Sequence, residues 1–594
     1  HLCALCDLCG IPPHPDPETF SDDLYLAQSW DYGIYPAFLH RSADPWNLRA
    51  CTVDDRLHSP PSPLPHRLGT THSHQHQTVS FKDPTNMPMI GPYLAVLPTH
   101  VTELGLILGL IHLLAFVLAT IHILQTKHEA SSAILWIFVN WSFPFFGLLL
   151  YLGFGVDRTT SRRKRFELSS RQMSLIRARM LESDPKGGMI AWRQARENFL
   201  AQLEDPILNA INFAYDRINP DLVFLAGNHV TPLINGDEAY PEMLEAIDAA
   251  KHHIHVQTFI FANDDIGRRF MDRLAERARQ GVHVRVLYDR FGSTRAHLSR
   301  FFSPYRSVPN MEISGFTQAN IIRRQIQINL RNHRKIMVVD GTIGFVGGIN
   351  FHNGHSSEFS FDQVIRDYHF KVTGPAVYQL QYSFLRDWHY MTDYSAQELL
   401  IPEHFPAVKT TGIDPVQVIM SGPISDYEAM ADAYFTAMSL ARHSITIITP
   451  YFVPSIDILR ALRTAALRGA EVRIIVPAQN NHFYVGLATR SLFEDLMRSG
   501  VRIYERTPPF MHAKAMLVDN QIALVGSANI DNRSMRLNHE TNIAVLGRAF
   551  ADRLRPILEE EIRNSTEVQR LKFKERSAMV RMAENLCWLL SPML

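Results

Sequence analysis

Two polar side chains open an apolar strand near the C-terminal end of the chain. The stretch FMHAKAMLVDNQIALVGSANID, from Phe510 to Asp531, begins with His512 and Lys514. Side chains alternate faces along a strand, so these two residues point the same way. They would present a nucleophile or a base beside a fixed positive charge. A single H-x-K triplet is more often a solvated edge than a catalytic site, because polar residues commonly mark an exposed face.

A second copy of this pattern favours the catalytic interpretation. The stretch NHRKIMVVDGTIGFVGGIN, at 332–350, carries His333 and Lys335 at the same spacing. In both copies an aspartate follows, then an apolar run, then a turn of small residues that ends in asparagine (GGIN and GSAN). A pattern specified in this detail is not readily repeated by chance, and it indicates a duplicated unit.

The repeat extends upstream of both motifs. AAKHHIHVQTFIF, at 249–261, parallels LARHSITIITPYF, at 440–452; GVHVRVLYD parallels GAEVRIIVP. Segments with helical periodicity, such as IGRRFMDRLAERARQ, separate the members of each pair. Strands that alternate with helices predict an α/β fold with largely parallel sheets flanked by helices. We therefore predict two pseudo-symmetric halves, 221–400 and 401–594, each with one H-x-K strand.

These motifs resemble the phospholipase D superfamily. H-x-K-x4-D followed by G-[SG]-x-N, present twice, is the signature of that superfamily, and TPYFVPS, GSANIDNRS and LNHE are similar to bacterial cardiolipin synthases. The resemblance covers the chain from about Val101 to Leu594. It implies two phospholipase D-like halves that act on membrane phospholipids. The implied reaction transfers a phosphatidyl group from one phosphatidylglycerol to another, releases glycerol and yields cardiolipin.

The resemblance also assigns roles to the paired motifs. His333 is expected to attack phosphorus and form a phosphohistidine, and His512 to act as general acid and base, although the sequence itself is nearly symmetric. Lys335 and Lys514 supply positive charge to the phosphoryl oxygens. We therefore expect neither a metal ion nor another cofactor.

Further polar residues complete the predicted site. Hydrogen bonds to the phosphate are expected from the turn residues Asn350, Ser527 and Asn529. A catalytic histidine also needs an acceptor on its other ring nitrogen to fix the tautomer. Glu540, in LNHE, matches the acidic residue of the family, and Asp367, in RDYHFKV, is its expected counterpart in the first half. A surface carboxylate is the alternative for Asp367.

The signature aspartates, Asp340 and Asp519, are counted with the catalytic motifs by resemblance. Each lies an odd number of residues from its histidine and lysine, so on a regular strand it faces away from them. This parity predicts a structural role, in which the carboxylate pairs with loop donors or with the other half. The turns themselves differ, because Gly348 stands where the second half has a serine.

Two apolar runs precede the motifs. Leu104–Leu124 and Ala133–Phe154 are each long enough to cross a bilayer, which predicts a two-helix transmembrane hairpin within 101–156. Two buried helices in a large soluble core are the alternative. The region 157–220 is predicted to be a basic juxtamembrane linker that holds anionic headgroups or is simply solvated. Its basic residues place the catalytic body on the cytoplasmic side of a bacterial inner membrane; they are Arg158, Arg162, Arg163, Lys164 and Arg165.

Composition limits the other classes of function. The chain has 59 basic and 59 acidic residues, whereas a dedicated nucleic-acid binder would usually be positively charged. A phospholipase D or nuclease with water as acceptor is the nearest alternative. A membrane scaffold is a second, but it would be expected to lose a histidine or lysine. The C-terminal RMAENLCWLLSPML is assigned to core packing, with docking on the bilayer as the alternative.

The first hundred residues differ in composition from the rest. They are rich in proline and histidine, and they contain four of the five cysteines, in a spacing that does not form a closed zinc site. They also lack apolar periodicity, which predicts a disordered extension. The alternative is an over-extended reading frame, with the native start at Met87 or Met89.

Overall fold

The computed structural model describes residues 99–127, 130–155, 160–183, 187–316, 319–320, 325–326, 331–423, 426–589 and 591. The predictions for the segment before residue 99, including the native start, lie outside these described residues. The same is true of Arg158 and of the side chains of residues 162–165 in the basic cluster.

The strands form from β-branched and apolar segments such as VRVLYD and VRIIVP. Those of the first half are β1 (Leu225–Ile234), β2 (His253–Thr258), β3 (His283–Asp289), β4 (Met311–Phe316), β5 (Ala319–Asn320), β6 (Gln325–Ile326), β7 (Ile336–Val339), β8 (Ile343–Gly347) and β9 (Tyr368–Thr373). Those of the second half are β10 (Asp414–Ser421), β11 (Ser444–Ile448), β12 (Phe452–Val453), β13 (Glu471–Pro477), β14 (Arg502–Arg506), β15 (Ala515–Val518), β16 (Ile522–Gly526), β17 (Ile530–Asp531), β18 (Glu540–Leu546) and β19 (Ser565–Glu567).

One large sheet joins the two halves, and their strand orders mirror each other. From the centre outward, the first half runs β1-β9-β8-β7-β2-β3-β4 and the second runs β10-β18-β16-β15-β11-β13-β14-β19. Strands β1 and β10 pair antiparallel at the centre, with Leu225 opposite Val416. Strands β7 and β15, which begin directly after the H-x-K triplets, therefore occupy equivalent positions on either side of this seam.

The prediction of largely parallel sheets is wrong. Only the pairs β2–β3, β3–β4, β11–β13 and β13–β14 of the large sheet are parallel, and the other described pairs are antiparallel. In each parallel pair at least one helix lies between the two strands along the chain. The motif strands instead return through tight turns at Asp340 and Asp519, both with φ of 52°, and a tight turn can join only antiparallel neighbours.

Helices cover both faces of the sheet. They are α1 (Thr99–Thr126), α2 (Ala130–Ser142), α3 (Phe146–Leu150), α4 (Thr160–Ser183), α5 (Gly188–Ala201), α6 (Pro206–Ile218), α7 (Asn235–Ala249), α8 (Asp265–Arg279), α9 (Thr294–Leu298), α10 (Ser357–Ser360), α11 (Val377–Met391), α12 (Ala396–Leu399), α13 (Ala429–Leu440), α14 (Ile456–Leu467), α15 (Phe483–Ser491), α16 (Phe493–Arg498), α17 (Asn532–Arg536), α18 (Arg548–Arg563), α19 (Arg570–Lys574) and α20 (Ala578–Trp588).

Alternating strand residues divide the hydrophobic core between these two layers. Val338 of β7 packs in a cluster with α11 and α18, which spans both halves. Met337, its neighbour, points to the opposite face and packs with α7 and α8; α13 and α14 cover the equivalent face of the second half. The predicted linker region is largely helical, and Met173 of α4 is buried in the shared cluster.

The two apolar runs form unequal helices. By length and composition, Glu103–Thr126 could cross a membrane, and it is the one such helix among the described residues. The second run does not form one continuous helix as predicted. Helix α2 ends at Ser142, the helical conformation is interrupted around Pro144, and α3 begins at Phe146. Proline lacks an N–H donor and disfavours helical geometry in the residue before it. Whether the chain crosses a bilayer twice therefore remains a proposal.

Candidate active site

Backbone pairing between the halves positions the two motif histidines. The N–H of His333 donates to the carbonyl of His539 at 2.9 Å, and the N–H of His539 donates back to Arg331 at 2.9 Å. The other motif makes an equivalent pair of bonds. The N–H of His512 donates to the carbonyl of Arg366 at 2.7 Å, and the N–H of Arg366 donates to the carbonyl of Phe510 at 2.9 Å. Each motif histidine is thereby held beside the residue that directly precedes an acidic residue of the opposite half.

The acidic residues cross over between the halves. Nδ1 of His333 lies 3.0 Å from Oε2 of Glu540, and Nδ1 of His512 lies 2.7 Å from Oδ2 of Asp367. Both carboxylates are fully buried. A carboxylate that accepts the Nδ1 proton fixes the tautomer and leaves Nε2 as the reactive nitrogen. Each half therefore supplies one histidine and supports the histidine of the other half.

Burial and nearby charge set the protonation of these four groups. Burial lowers the pKa of His333, and burial together with the Lys514 ammonium lowers that of His512 to about 4. Burial favours the neutral form of Asp367, but the Lys514 and His512 charges outweigh it and lower the pKa of this carboxyl. The pKa of Glu540 is likewise lowered, against its burial, by His333. At neutral pH both imidazoles are therefore uncharged and both carboxylates are ionised.

The two motif lysines are buried beside the imidazoles. Nζ of Lys335 donates to the carbonyl of His333 at 2.7 Å, and Nζ of Lys514 lies 2.8 Å from Nδ1 and 3.1 Å from Nε2 of His512. Burial lowers the pKa of Lys335 to about 7 and that of Lys514 to about 8. An anion placed in the site would favour their charged forms, because an opposite charge stabilises an ammonium group.

Both imidazoles line the same cavity, which has a volume of about 920 Å³. Asn350 and Asn529 line it as well. The side-chain oxygen of Asn350 accepts the N–H of Ile260 at 3.0 Å, whereas Oδ1 of Asn529 is buried without a hydrogen-bond partner among the described residues. A cavity of this size is in the range that binds small-molecule ligands.

Ser527 does not line this cavity. Its hydroxyl donates to Oε2 of Glu540 at 2.6 Å and accepts the N–H of Thr541 at 3.0 Å, so it orients the carboxylate. The first half has no room for an equivalent side chain. A Cβ on Gly348 would lie 2.2 Å from Oδ1 of Asp367, which explains why the two turns differ.

Asp340 and Asp519 also lie outside the cavity lining. The carboxylate of Asp340 accepts the N–H groups of three successive residues that lead into β2, at 2.8 to 3.0 Å: Lys251, His252 and His253. Asp519 accepts three equivalent N–H groups ahead of β11, at 2.7 to 2.8 Å: Arg442, His443 and Ser444. In this structure each signature aspartate ties its hairpin to the adjacent strand within its own half.

The cavity contains residues that the sequence analysis missed. Phe259 and Tyr451 lie with ring centroids 5.1 Å and 6.1 Å from those of His333 and His512 respectively. Asp531 lines the second-half side, and burial raises its pKa to about 6; His352 occupies the equivalent repeat position. All four flank the repeated strands or the GGIN and GSAN turns, so an alignment of the two halves could have identified them.

Among the described residues, no group of three or more histidine, cysteine, aspartate or glutamate side chains is arranged to hold a metal ion. The positively charged side chains that line the cavity are those of arginines, including Arg331 and Arg506, whereas Lys335 and Lys514 are buried beside the histidines and are not part of the lining.

Comparison with known proteins identifies the family. A family model described as "Cardiolipin synthase, PLD-like domain" matches residues 243–388 and 434–562. The chain is 36% identical over 470 residues to a cardiolipin synthase of Geobacillus thermodenitrificans, covering 79% of this chain and 90% of that protein. It is 33% identical over 497 residues to the major cardiolipin synthase ClsA of Bacillus subtilis, covering 82% and 99%. The chain belongs to the cardiolipin synthase family of the phospholipase D superfamily.

Two further matches agree with this family. A crystal structure of phosphatidylserine synthase from Haemophilus influenzae superposes with a TM-score of 0.50 at 16% identity, covering 66% of this chain and 100% of that one. This likeness shows the fold alone. A model described as "Phospholipase_D-nuclease N-terminal" matches residues 114–155, and with the apolar helix α1 it indicates association with a membrane.

Proposed function

We propose that this protein synthesises cardiolipin by moving a phosphatidyl group from one phosphatidylglycerol to a hydroxyl of another. The observation that carries the proposal is the convergence of His333 and His512 on one cavity, each with Nδ1 bound to a carboxylate of the opposite half. Cardiolipin synthase relatives that match most of the chain support the choice of lipid.

In the first step, Nε2 of His333 attacks the phosphorus of the bound phosphatidylglycerol. The bond between phosphorus and the headgroup glycerol oxygen breaks, and His512 transfers a proton to that oxygen, so that glycerol leaves. The buried ammonium groups of Lys335 and Lys514 stabilise the charge on the phosphoryl oxygens.

In the second step, the headgroup hydroxyl of another phosphatidylglycerol attacks the phosphohistidine. His512 takes the hydroxyl proton, the P–N bond breaks, and His333 returns to its neutral form. The product has one glycerol esterified by two phosphatidyl groups. Each step exchanges one bond at phosphorus for another, so no external energy source is needed.

His512 gains the proton for the first step from solvent when the substrate binds. His512 is neutral in the empty cavity because its pKa is lowered to about 4, by burial and then by Lys514. A phosphodiester anion beside the ring favours the imidazolium, since an opposite charge raises the pKa of a base. His512 therefore becomes a competent acid only when substrate occupies the cavity.

The lipid products test the proposal directly. The purified chain should convert phosphatidylglycerol in vesicles into cardiolipin and glycerol in equal amounts, and His333→Ala and His512→Ala should each abolish both products. Acid-stable phosphatidic acid without cardiolipin would instead identify a phospholipase D that uses water. Mass spectrometry of quenched enzyme should find the phosphatidyl adduct on His333, and an adduct on His512 would reverse the assigned roles.

We also propose that the chain crosses the bacterial inner membrane twice, with the catalytic body on the cytoplasmic side. Exposed apolar side chains on α2 and α3, among them Phe138 and Leu149, support a second crossing interrupted at Pro144. An impermeant maleimide should label Lys127→Cys in intact cells above the background of the unsubstituted chain. It should label Lys409→Cys only after the cells are opened, and the reverse pattern would contradict this orientation.

A further inference from the structure

Helix α20, near the C-terminus, turns its apolar side toward solvent. Met579, Met582, Leu586 and Leu589 are 70%, 60%, 64% and 67% exposed. Their spacings of three and four residues place them on one side of the helix, and we call these four residues the α20 face. The prediction that this stretch packs in the core is wrong for these side chains.

Contacts on the opposite side of α20 fix this orientation. Glu584 is fully buried and lies 2.8 Å from Nε of Arg576 and 3.5 Å from Nε of Arg490 in α15. Cys587 packs in an apolar cluster with Tyr484 and Val485. Rotation of the helix to bury its apolar side would expose this cluster and break the buried ion pairs, which is costly.

The α20 helix supports one wall of the catalytic cavity. Tyr484 and Val485, which pack against Cys587, also line the cavity. The carbonyl of Ser591 accepts a hydrogen bond from the side chain of Asn532 at 3.3 Å, next to cavity residue Asp531. Phe483 lies between two cavity-lining residues and is 74% exposed. Exposed apolar side chains therefore occur both on α20 and at the edge of the cavity on α15.

Basic side chains flank the α20 face along the chain. Lys572 and Lys574 of α19 and Arg581 of α20 are exposed, and Leu571 is 80% exposed beside them. Between Arg570 and Leu589 the one exposed carboxylate is Glu575. An apolar helix face with basic neighbours is typical of a helix that lies in the interface of an anionic bilayer.

We propose that the α20 face lies in the interfacial region of an anionic bilayer and forms the edge over which lipid enters the cavity. The inference rests on the proposed function only in taking a membrane lipid as substrate. A second copy of the chain is the competing occupant, because the four residues also have heptad spacing. Two heptads are fewer than the three or four that a stable coiled coil usually needs, and basic flanks of like charge would oppose each other.

The test compares one double-charge variant and one single-charge variant of the full chain on phosphatidylglycerol vesicles. M582E/L586E places two carboxylates on the α20 face, and L467E places one carboxylate on an exposed apolar position elsewhere, since Leu467 is 71% exposed on α14. The first variant should lose about tenfold or more of its initial rate on vesicles, because two apolar side chains that would insert into the bilayer are replaced by carboxylates. L467E should retain the rate of the unsubstituted chain.

A short-chain phosphatidylglycerol below its micelle concentration separates docking from chemistry. M582E/L586E should convert this monomeric lipid within about twofold of the unsubstituted chain, because the α20 face touches no reacting atom. An unchanged rate on vesicles, or an equal loss on both lipids, would overturn the proposal. A loss accompanied by conversion of a dimer into a monomer in size-exclusion chromatography would assign the face to a second copy and also overturn it.

Photolabelling tests the contact without relying on turnover. Phosphatidylglycerol with a diazirine near the glycerol end of its acyl chain should label the peptide that contains α20 in the unsubstituted chain. The label should fall severalfold in M582E/L586E and stay unchanged in L467E. If no cardiolipin forms but α20 is labelled, the proposed function fails while the docking surface stands; absence of label from α20 refutes the docking surface.

Discussion

Replacing the two buried carboxylates by amides should damage catalysis unequally, because their second oxygens have different partners. In Glu540→Gln the amide oxygen can keep the hydrogen bond from Nδ1 of His333. The new NH2 group then faces the side chain of Asn538, whose Nδ2 lies 3.2 Å from the other carboxylate oxygen. Oδ1 of Asn538 has no partner among the described residues. The side-chain amide of Asn538 can therefore flip, so that its oxygen accepts a hydrogen bond from the glutamine NH2 group. The tautomer of His333 is then preserved.

In Asp367→Asn no rearrangement of hydrogen bonds can preserve the tautomer of His512. The second oxygen of Asp367 accepts the backbone N–H of Tyr368 at 2.8 Å, and a backbone N–H cannot become an acceptor. The asparagine oxygen must stay with Tyr368, so its NH2 group points at Nδ1 of His512. Nδ1 then has to accept, and the proton moves to Nε2. This ring cannot take a proton from the incoming hydroxyl, and it cannot act as the acid of the first step, because loss of its single proton would leave an imidazolate.

These differences set the expected magnitudes. Glu540→Gln loses the charge assistance of one hydrogen bond, about 1.4 kcal/mol, which corresponds to about a tenfold loss in kcat. Asp367→Asn holds a buried imidazole in the wrong tautomer, which costs about 3 kcal/mol or more and corresponds to a loss of at least a hundredfold. The ratio of the two effects should therefore be about tenfold or greater.

The assay measures glycerol and cardiolipin separately after rapid mixing with phosphatidylglycerol, with thermal unfolding as the control for folding. Asp367→Asn should slow glycerol release and cardiolipin formation together, without an early burst of glycerol, because both steps need Nδ1 of His512 to keep its proton. Glu540→Gln should form both products in step, only more slowly. Equal losses in the two variants, or the larger loss in Glu540→Gln, would refute the reasoning from hydrogen-bond partners.

Three further substitutions test other parts of the site. Gly348→Ala should lower kcat by about a hundredfold, because the new Cβ would lie 2.2 Å from Oδ1 of Asp367 and displace the carboxylate; a near-normal rate would show that the site tolerates this movement. The kcat/KM for phosphatidylglycerol should fall more steeply as pH rises through 7 to 8, where the buried ammonium of Lys335, with its pKa lowered to about 7 by burial, loses its proton. Lys335→Arg should shift this fall in kcat/KM to higher pH, since arginine stays protonated. If the pH of the fall does not change, the fall belongs to another group. Arg334→Met should lower the free energy of unfolding by about 3–5 kcal/mol in chemical denaturation, because it leaves the carboxylate of Asp387, 2.6 Å away, buried without its charge partner; a change below about 1 kcal/mol would contradict a structural role for the pair.

Local patterns in the chain were enough to predict the duplicated halves and some of the residues that line the cavity, among them the two histidines and the turn asparagines Asn350 and Asn529. His333 and His512 stand out by residue type and spacing, and the odd spacing of Asp340 predicts a side chain turned away from the cavity. The sheet topology was missed although Asp340-Gly341 is a recognisable hairpin signal between two apolar runs. Helical periodicity was given more weight than that turn, and it applies only to the outer strands.

The pairing of each histidine with a carboxylate could not be predicted from the sequence. Glu540 is far closer along the chain to His512 than to His333, yet it binds the latter, because the halves exchange backbone hydrogen bonds across the seam. The same is true of the apolar C-terminal helix, whose outward face depends on ion pairs with a distant helix. Spacing along the chain specifies which side chains share a strand face. Contacts between segments remote in the chain decide which groups meet, since only the folded backbone brings them within hydrogen-bonding distance.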